Sequence, residues 1–189
     1  MENFNTTKLT AAKICHEIAN YLSVMKFLQD DIRPSNTPEA IELIKSIDLL
    51  SYTMDFFRSV YTGSVQNSNV LGIIKNICRL KNISLIAPTD IMETISGDLT
   101  NAIGIVLYII MKICKPGDKI TIKRSSDSFF IEKDNSTTIS QNVINAINDN
   151  SCEEDIFNIL AKYAKESFTS INYKISIETD SMLKVKIWK

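Results

Sequence analysis

Residues 7–39 read TKLTAAKICHEIANYLSVMKFLQDDIRPSNTPE, and this stretch decides the first half of the fold. Within it Cys15, Ile18, Leu22 and Met25 step by three, four and three residues. That spacing is an a/d seam, so a helix from Thr7 to Asp31 carries one apolar stripe. Arg33-Pro34-Ser35-Asn36 ends it, because proline lacks the N–H and disfavours helix in the residue before it. Thr37-Pro38-Glu39 reads as N-cap, N1 proline and first-turn acid, so a second helix starts at once. Its stripe is Leu43, Ile47, Leu50, Met54, Phe57 and Tyr61, stepping four, three, four, three, four. So short a connection makes the two helices an antiparallel hairpin. Two helices of about 25 residues cannot bury both stripes together with Phe27, Ile44 and Phe56. Two copies are therefore expected to pair into a dimeric four-helix bundle; packing of the hairpin on the rest of its own chain is the alternative.

The polar run Thr62-Gly63-Ser64-Val65-Gln66-Asn67-Ser68 marks a domain boundary. Residues 1–64 form the hairpin domain and 65–189 a second domain of different texture. There, Asn69 to Leu80 predicts a helix, Ile83 to Ala87 a strand, and Gly97 to Cys114 a buried helix. Lys115-Pro116-Gly117-Asp118 is a turn into two alternating runs, Lys119 to Ser125 and Ser128 to Lys133. Helices over Ile139 to Asn148 and Glu153 to Ser167 precede two last strands, Asn172 to Thr179 and Met182 to Trp188. The class is α+β, with a mixed sheet covered on one face by helices.

The 189 residues carry 21 Lys+Arg against 22 Asp+Glu, a net charge of −1, which speaks against a nucleic-acid binder. The longest apolar run, Ala102 to Met111, is far short of the ~20 residues a membrane helix needs. The N-terminus lacks a basic segment followed by an apolar one, so a chain in the cytoplasm and off the membrane is expected. Cysteines stand at 15, 78, 114 and 152 with no C-x-x-C pair, which suits reduced thiols better than disulfides or zinc.

His16 is the only histidine, so any imidazole chemistry sits there. On a helix, positions 12, 13, 19 and 20 surround it at i±3 and i±4. It lies one residue past the seam position Cys15, about 100° round the helix, and should face solvent at the bundle's edge. Ala12 and Ala19 leave room for another protein's loop to reach the imidazole, and Lys13 favours an anionic group on it. A plain surface histidine is the competing reading.

Cys15-His16-Glu17-Ile18-Ala19-Asn20 resembles the H-box of the dimerisation and phosphotransfer domain of two-component signalling proteins. Lys13-Ile14-Cys15-His16-Glu17, followed after the second helix by Phe56-Phe57-Arg58-Ser59-Val60-Tyr61-Thr62-Gly63, is similar to the ChpT-type histidine phosphotransferases of alphaproteobacteria. There an acidic residue follows the histidine and an F-x-R-x-A-F-G-like segment closes helix two. Where that family has proline five residues after the histidine, Tyr21 stands here. The resemblance implies a helical hairpin followed by a degenerate domain like the ATP-binding domain of histidine kinases.

It further implies reversible phosphoryl transfer between His16 and an aspartate on a receiver domain. The partners implied are response-regulator receivers and the receiver of a hybrid histidine kinase. Mg²⁺ and a lysine are expected in the receiver, and no cofactor is expected in this chain. Glu17 would orient the imidazole or take its proton, and Asn20, one turn along, would reach His16 or the incoming phosphate. Ser23 and Phe27 continue the His16 face, with Phe27 as the apolar contact for a receiver. In a hairpin turning near Ser35, position 16 faces about position 54, which puts Arg58 within reach of the site. A kinase of this fold needs a helix-borne Asn for Mg²⁺ and glycine-rich segments for the nucleotide. Ala102 to Cys114 has no Asn, Asp or Glu, and no glycine follows Gly117. The sequence thus reads as the fold without its ATP site. A non-catalytic dimeric scaffold on the same degenerate fold is the alternative.

Overall fold

The computed structural model describes residues 2–62, 70–88, 97–134, 141–148, 156–179 and 182–189; for 2–16, 62, 141, 142, 146 and 156–158 it describes the backbone alone. The chain divides into two compact units, Met1–Leu80 and Lys81–Lys189.

In the first unit, α1 (Glu2–Ile32) runs into a 3₁₀ turn, Arg33–Ser35, and is followed by α2 (Pro38–Thr62) and α3 (Val70–Leu80). The helix predicted from Thr7 thus begins five residues earlier. Asn36 takes a left-handed φ of 47°, a conformation asparagine tolerates, and reverses the chain. Thr37 then caps α2: its Oγ1 accepts the Ala40 N–H at 3.2 Å, at the third helical position. Thr37→Ala should cost about 1 kcal/mol, read as a lower urea midpoint with an unchanged slope.

α1 packs on α2, and α2 packs on α3. The seam of the hairpin is Leu22 against Met54, 5% and 6% exposed, with Ile18 and Phe57 packed against them. Further down, buried Gln29 donates from Nε2 to Asp48 Oδ1 at 3.2 Å and to the Ile44 carbonyl at 3.5 Å. These contacts fix the register and correct one expectation. Position 22, not 16, is level with 54, so position 16 is level with about 60. The reason is the 3₁₀ turn, which extends the α1 column to Ser35 before the chain reverses. The stripes do not bury evenly. Met25, Leu43 and Leu50 stay exposed, while Phe56, about 160° round α2 from Met54, is fully buried. That side of α2 faces away from α1, and α2 meets α3 as well as α1. The helix over 70–80, assigned from sequence to the domain beginning at residue 65, lies in the hairpin's unit.

The second unit holds β1 (Ser84–Ile86), α4 (Gly97–Ile113), β2 (Lys119–Ser125), β3 (Ser128–Lys133), α5 (Gln141–Asn148), α6 (Ile156–Ser170), β4 (Lys174–Glu178) and β5 (Leu183–Trp188). Its sheet order is β1-β2-β3-β5-β4, with β1 and β2 parallel and the other neighbours antiparallel. Residues alternate along the strands: Ile120, Ile122, Phe129, Ile131, Ile175, Ile177, Val185 and Ile187 are buried, and their neighbours are not. One face therefore meets the helices and the other is open. α4 is buried at every residue from Ala102 to Met111, which explains its continuous apolar run. Past its end Gly117 sits at φ 93°, where a Cβ would be strained, and its N–H meets the Asn82 carbonyl at 2.7 Å. α6 stops at Asn172 in the left-handed region (φ 62°), with Tyr173 N–H bonded back to Phe168 O at 2.9 Å and Asn172 N–H to Thr169 O at 3.1 Å, a Schellman close.

Among the described residues, one charge enters the core. Lys133 at the end of β3 is 0% exposed; its Nζ pairs with Asp118 Oδ2 at 3.0 Å and donates to the Asp134 carbonyl at 3.2 Å. Asp118 Oδ2 also accepts the Lys115 N–H at 2.9 Å, so one carboxylate holds both the turn before β2 and the end of β3.

Candidate functional site

α1 is continuous through position 16, so residues 16, 20, 23 and 27 share one side of it at i, i+4, i+7 and i+11. The backbone of Lys13 and His16 is described; their side chains lie outside the described residues. Of the others, Glu17 and Asn20 are exposed. Ser23 is exposed too, but its Oγ donates to the Ala19 carbonyl at 2.9 Å, so the hydroxyl is committed to its own helix. Phe27 is 76% exposed, an unusual position for an aromatic side chain on a helix that has a core to join. Arg58 is half-buried and, in the observed register, stands about level with Ile18, two residues from position 16.

The hairpin has two unlike flanks. With 100° per residue and an antiparallel partner, positions 16, 23 and 27 of α1 and Arg58 of α2 fall on one side of the Leu22–Met54 seam. Tyr21, Met25 and Leu28 of α1, with Leu43 and Leu50 of α2, fall on the other, and all five are exposed. The sequence reading named Met25, Leu43 and Leu50 as seam residues. It missed Tyr21 and Leu28, whose signal was their i+4 and i+3 spacing beside Met25. These five side chains make an exposed apolar flank beside the seam.

The second unit offers no competing chemistry among the described residues. No group of three or more His, Cys, Asp or Glu is placed to hold a metal ion. Burial pushes the Cys114 thiol up to about 11, so it stays protonated at neutral pH and is no nucleophile. Burial likewise pushes the Tyr108 hydroxyl up to about 12. No described helix is long and apolar enough to cross a membrane.

No protein-family model matches the chain, and no curated protein matches it. Among solved structures, one described as a bacterial phosphotransferase is similar at a TM-score of 0.66 and 14% identity, covering 99% of this chain and 96% of that one. A histidine kinase domain from the blue-light activated histidine kinase of Erythrobacter litoralis EL346 matches at a TM-score of 0.48 and 9% identity, covering 89% and 93%. At the level of fold, over nearly its whole length, the chain is thus similar to a bacterial phosphotransferase, in agreement with the expected helical hairpin followed by an α+β domain.

Proposed function

We propose that the chain is a histidine phosphotransferase that relays a phosphoryl group between receiver-domain aspartates through a phosphohistidine at His16. The observation that carries this reading is the two-sided hairpin. Position 16 shares its side with exposed Asn20 and Phe27 and with Arg58, opposite the apolar flank of Tyr21, Met25, Leu28, Leu43 and Leu50. A homodimer closed through that flank completes a four-helix bundle and leaves His16 open to a receiver.

The imidazole Nε2 attacks the phosphorus of the receiver's aspartyl phosphate in line. The N–P bond forms, the P–O bond to the aspartate breaks, and the carboxylate leaves. The proton then surplus on Nδ1 passes to solvent or to Glu17. Position 16 is mid-helix, where backbone N–H groups are already used, so the helix gives the phosphoryl oxygens no donors. Mg²⁺ and a lysine of the receiver would supply that charge stabilisation, with Lys13 and Asn20 adding to it from this chain. Phe27 supplies apolar contact. Phe27→Ala should raise the receiver concentration for half-maximal transfer about tenfold with little change in the saturated rate; unchanged kinetics at subsaturating receiver would remove that role.

The absence of any Asn, Asp or Glu from Ala102 to Cys114 and of glycine after Gly117 argues against an ATP-using kinase. The chain would work in the cytoplasm with hybrid-kinase and response-regulator receivers. The test is to incubate the purified protein with a phosphorylated receiver domain and follow label onto this chain. Acid-labile, alkali-stable label supports the relay. Tight receiver binding without label supports the scaffold instead.

A further inference from the structure

We infer that the open face of the sheet, at the end where Phe130 and Trp188 stand among lysines, is a docking surface for an acidic protein segment. This rests on the second unit alone and holds whatever position 16 does.

The strand register sorts the open face into rows. At one end Thr121, Glu132, Lys184 and Glu178 are cross-strand neighbours, so Lys184 stands between two carboxylates. Beyond them Lys119 lies 4.0 Å from Asp134. The charges at this end, two lysines against three carboxylates, sum to −1. The next row is Lys123, Phe130, Lys186 and Ser176, and the last is Ser125, Ser128, Trp188 and Lys174. Neither of these two rows contains a carboxylate. They hold three lysines; Lys123 and Lys174 are exposed and Lys186 is half-exposed. Lys123 leans back to Glu132 in the neighbouring row. Phe130 and Trp188 are half-exposed between them, although an aromatic ring on a solvated sheet face has nothing of its own to bury against. The face is therefore polarised, weakly acidic at one end and cationic with an aromatic floor at the other. That combination is complementary to carboxylates on a protein surface.

A single-stranded nucleic acid also pairs cations with aromatic rings, but it needs ring faces free for base stacking. Here Lys184 Nζ lies 4.7 Å from the Phe130 centroid and Lys186 Nζ 5.2 Å from that of Trp188, so each ring already carries an ammonium. A carboxylate engages those same ammoniums from outside and leaves the rings covered. The net charge of −1 points the same way.

Trp188 is the only tryptophan in the chain, so its fluorescence reports this surface directly. The full-length protein is titrated with a peptide of alternating Glu and Ser, and in parallel with oligothymidylate. The expected result is a saturable change in Trp188 emission with the peptide that weakens as salt is raised. Lys123→Glu with Lys186→Glu should weaken it about tenfold or more, while Lys119→Glu at the opposite, acidic end stays within about twofold. If far-UV circular dichroism shows the double variant unfolded, exposed Lys174→Glu takes its place. The inference is overturned by Trp188 emission that ignores the peptide, by charge-reversed protein that binds as the wild type does, or by tighter binding of oligothymidylate.

Discussion

His16→Ala should reduce acid-labile label on this chain to background while leaving the helix, the oligomeric state and receiver binding in place. The expected loss is complete because no second imidazole exists to take over. The described cysteines do not substitute, since Cys78 and Cys114 are buried. The helix should tolerate the change, alanine being the best helix former. His16→Gln, which keeps a polar side chain of similar reach, should be equally inactive, because an amide nitrogen has no free lone pair for attack on phosphorus. Residual label of the same acid lability on the alanine variant would place the phosphoryl group elsewhere and end the relay reading. Loss of receiver binding along with label would instead make His16 a contact rather than a nucleophile.

The second large effect concerns stability. Asp118→Ala should destabilise the second unit by about 3 kcal/mol or more, since it removes the carboxylate facing a fully buried ammonium. Lys133 would keep its hydrogen bond to the Asp134 carbonyl. The same substitution takes the acceptor from the Lys115 N–H and so loosens the turn into β2. Asp118→Asn keeps an oxygen for that N–H and should recover about 1 kcal/mol of the loss. Combining Asp118→Asn with Lys133→Met, which fills the space without charge, should cost less than Asp118→Ala alone, because no buried ammonium then remains to lose its carboxylate. Equilibrium urea unfolding measures all three. A cost below about 1 kcal/mol for Asp118→Ala would show that the pair does not hold the end of the sheet together.

The sequence by itself determined the elements. Proline at 34, the Thr37-Pro38-Glu39 start and the alternation over 119–125 and 128–133 are local signals, and caps, backbone donors and strand periodicity act within a few residues. Position 16 was legible for the same reason: a single imidazole, one step off an apolar seam, declares its helix face. Tertiary structure alone decided three other things. The register of α1 against α2 depends on the height of the 3₁₀ turn, so position 16 moved from the level of Met54 to about that of residue 60 and brought Arg58 about level with Ile18. The partition of the apolar residues depends on which neighbours arrive. Phe56 is buried in a unit that includes α3, whereas Leu43 and Leu50, equally apolar in the sequence, were left exposed. The charge polarity of the sheet face is a third case. Lys123, Phe130, Lys186, Trp188 and Lys174 come from four strands, and only hydrogen-bonded register sets them side by side.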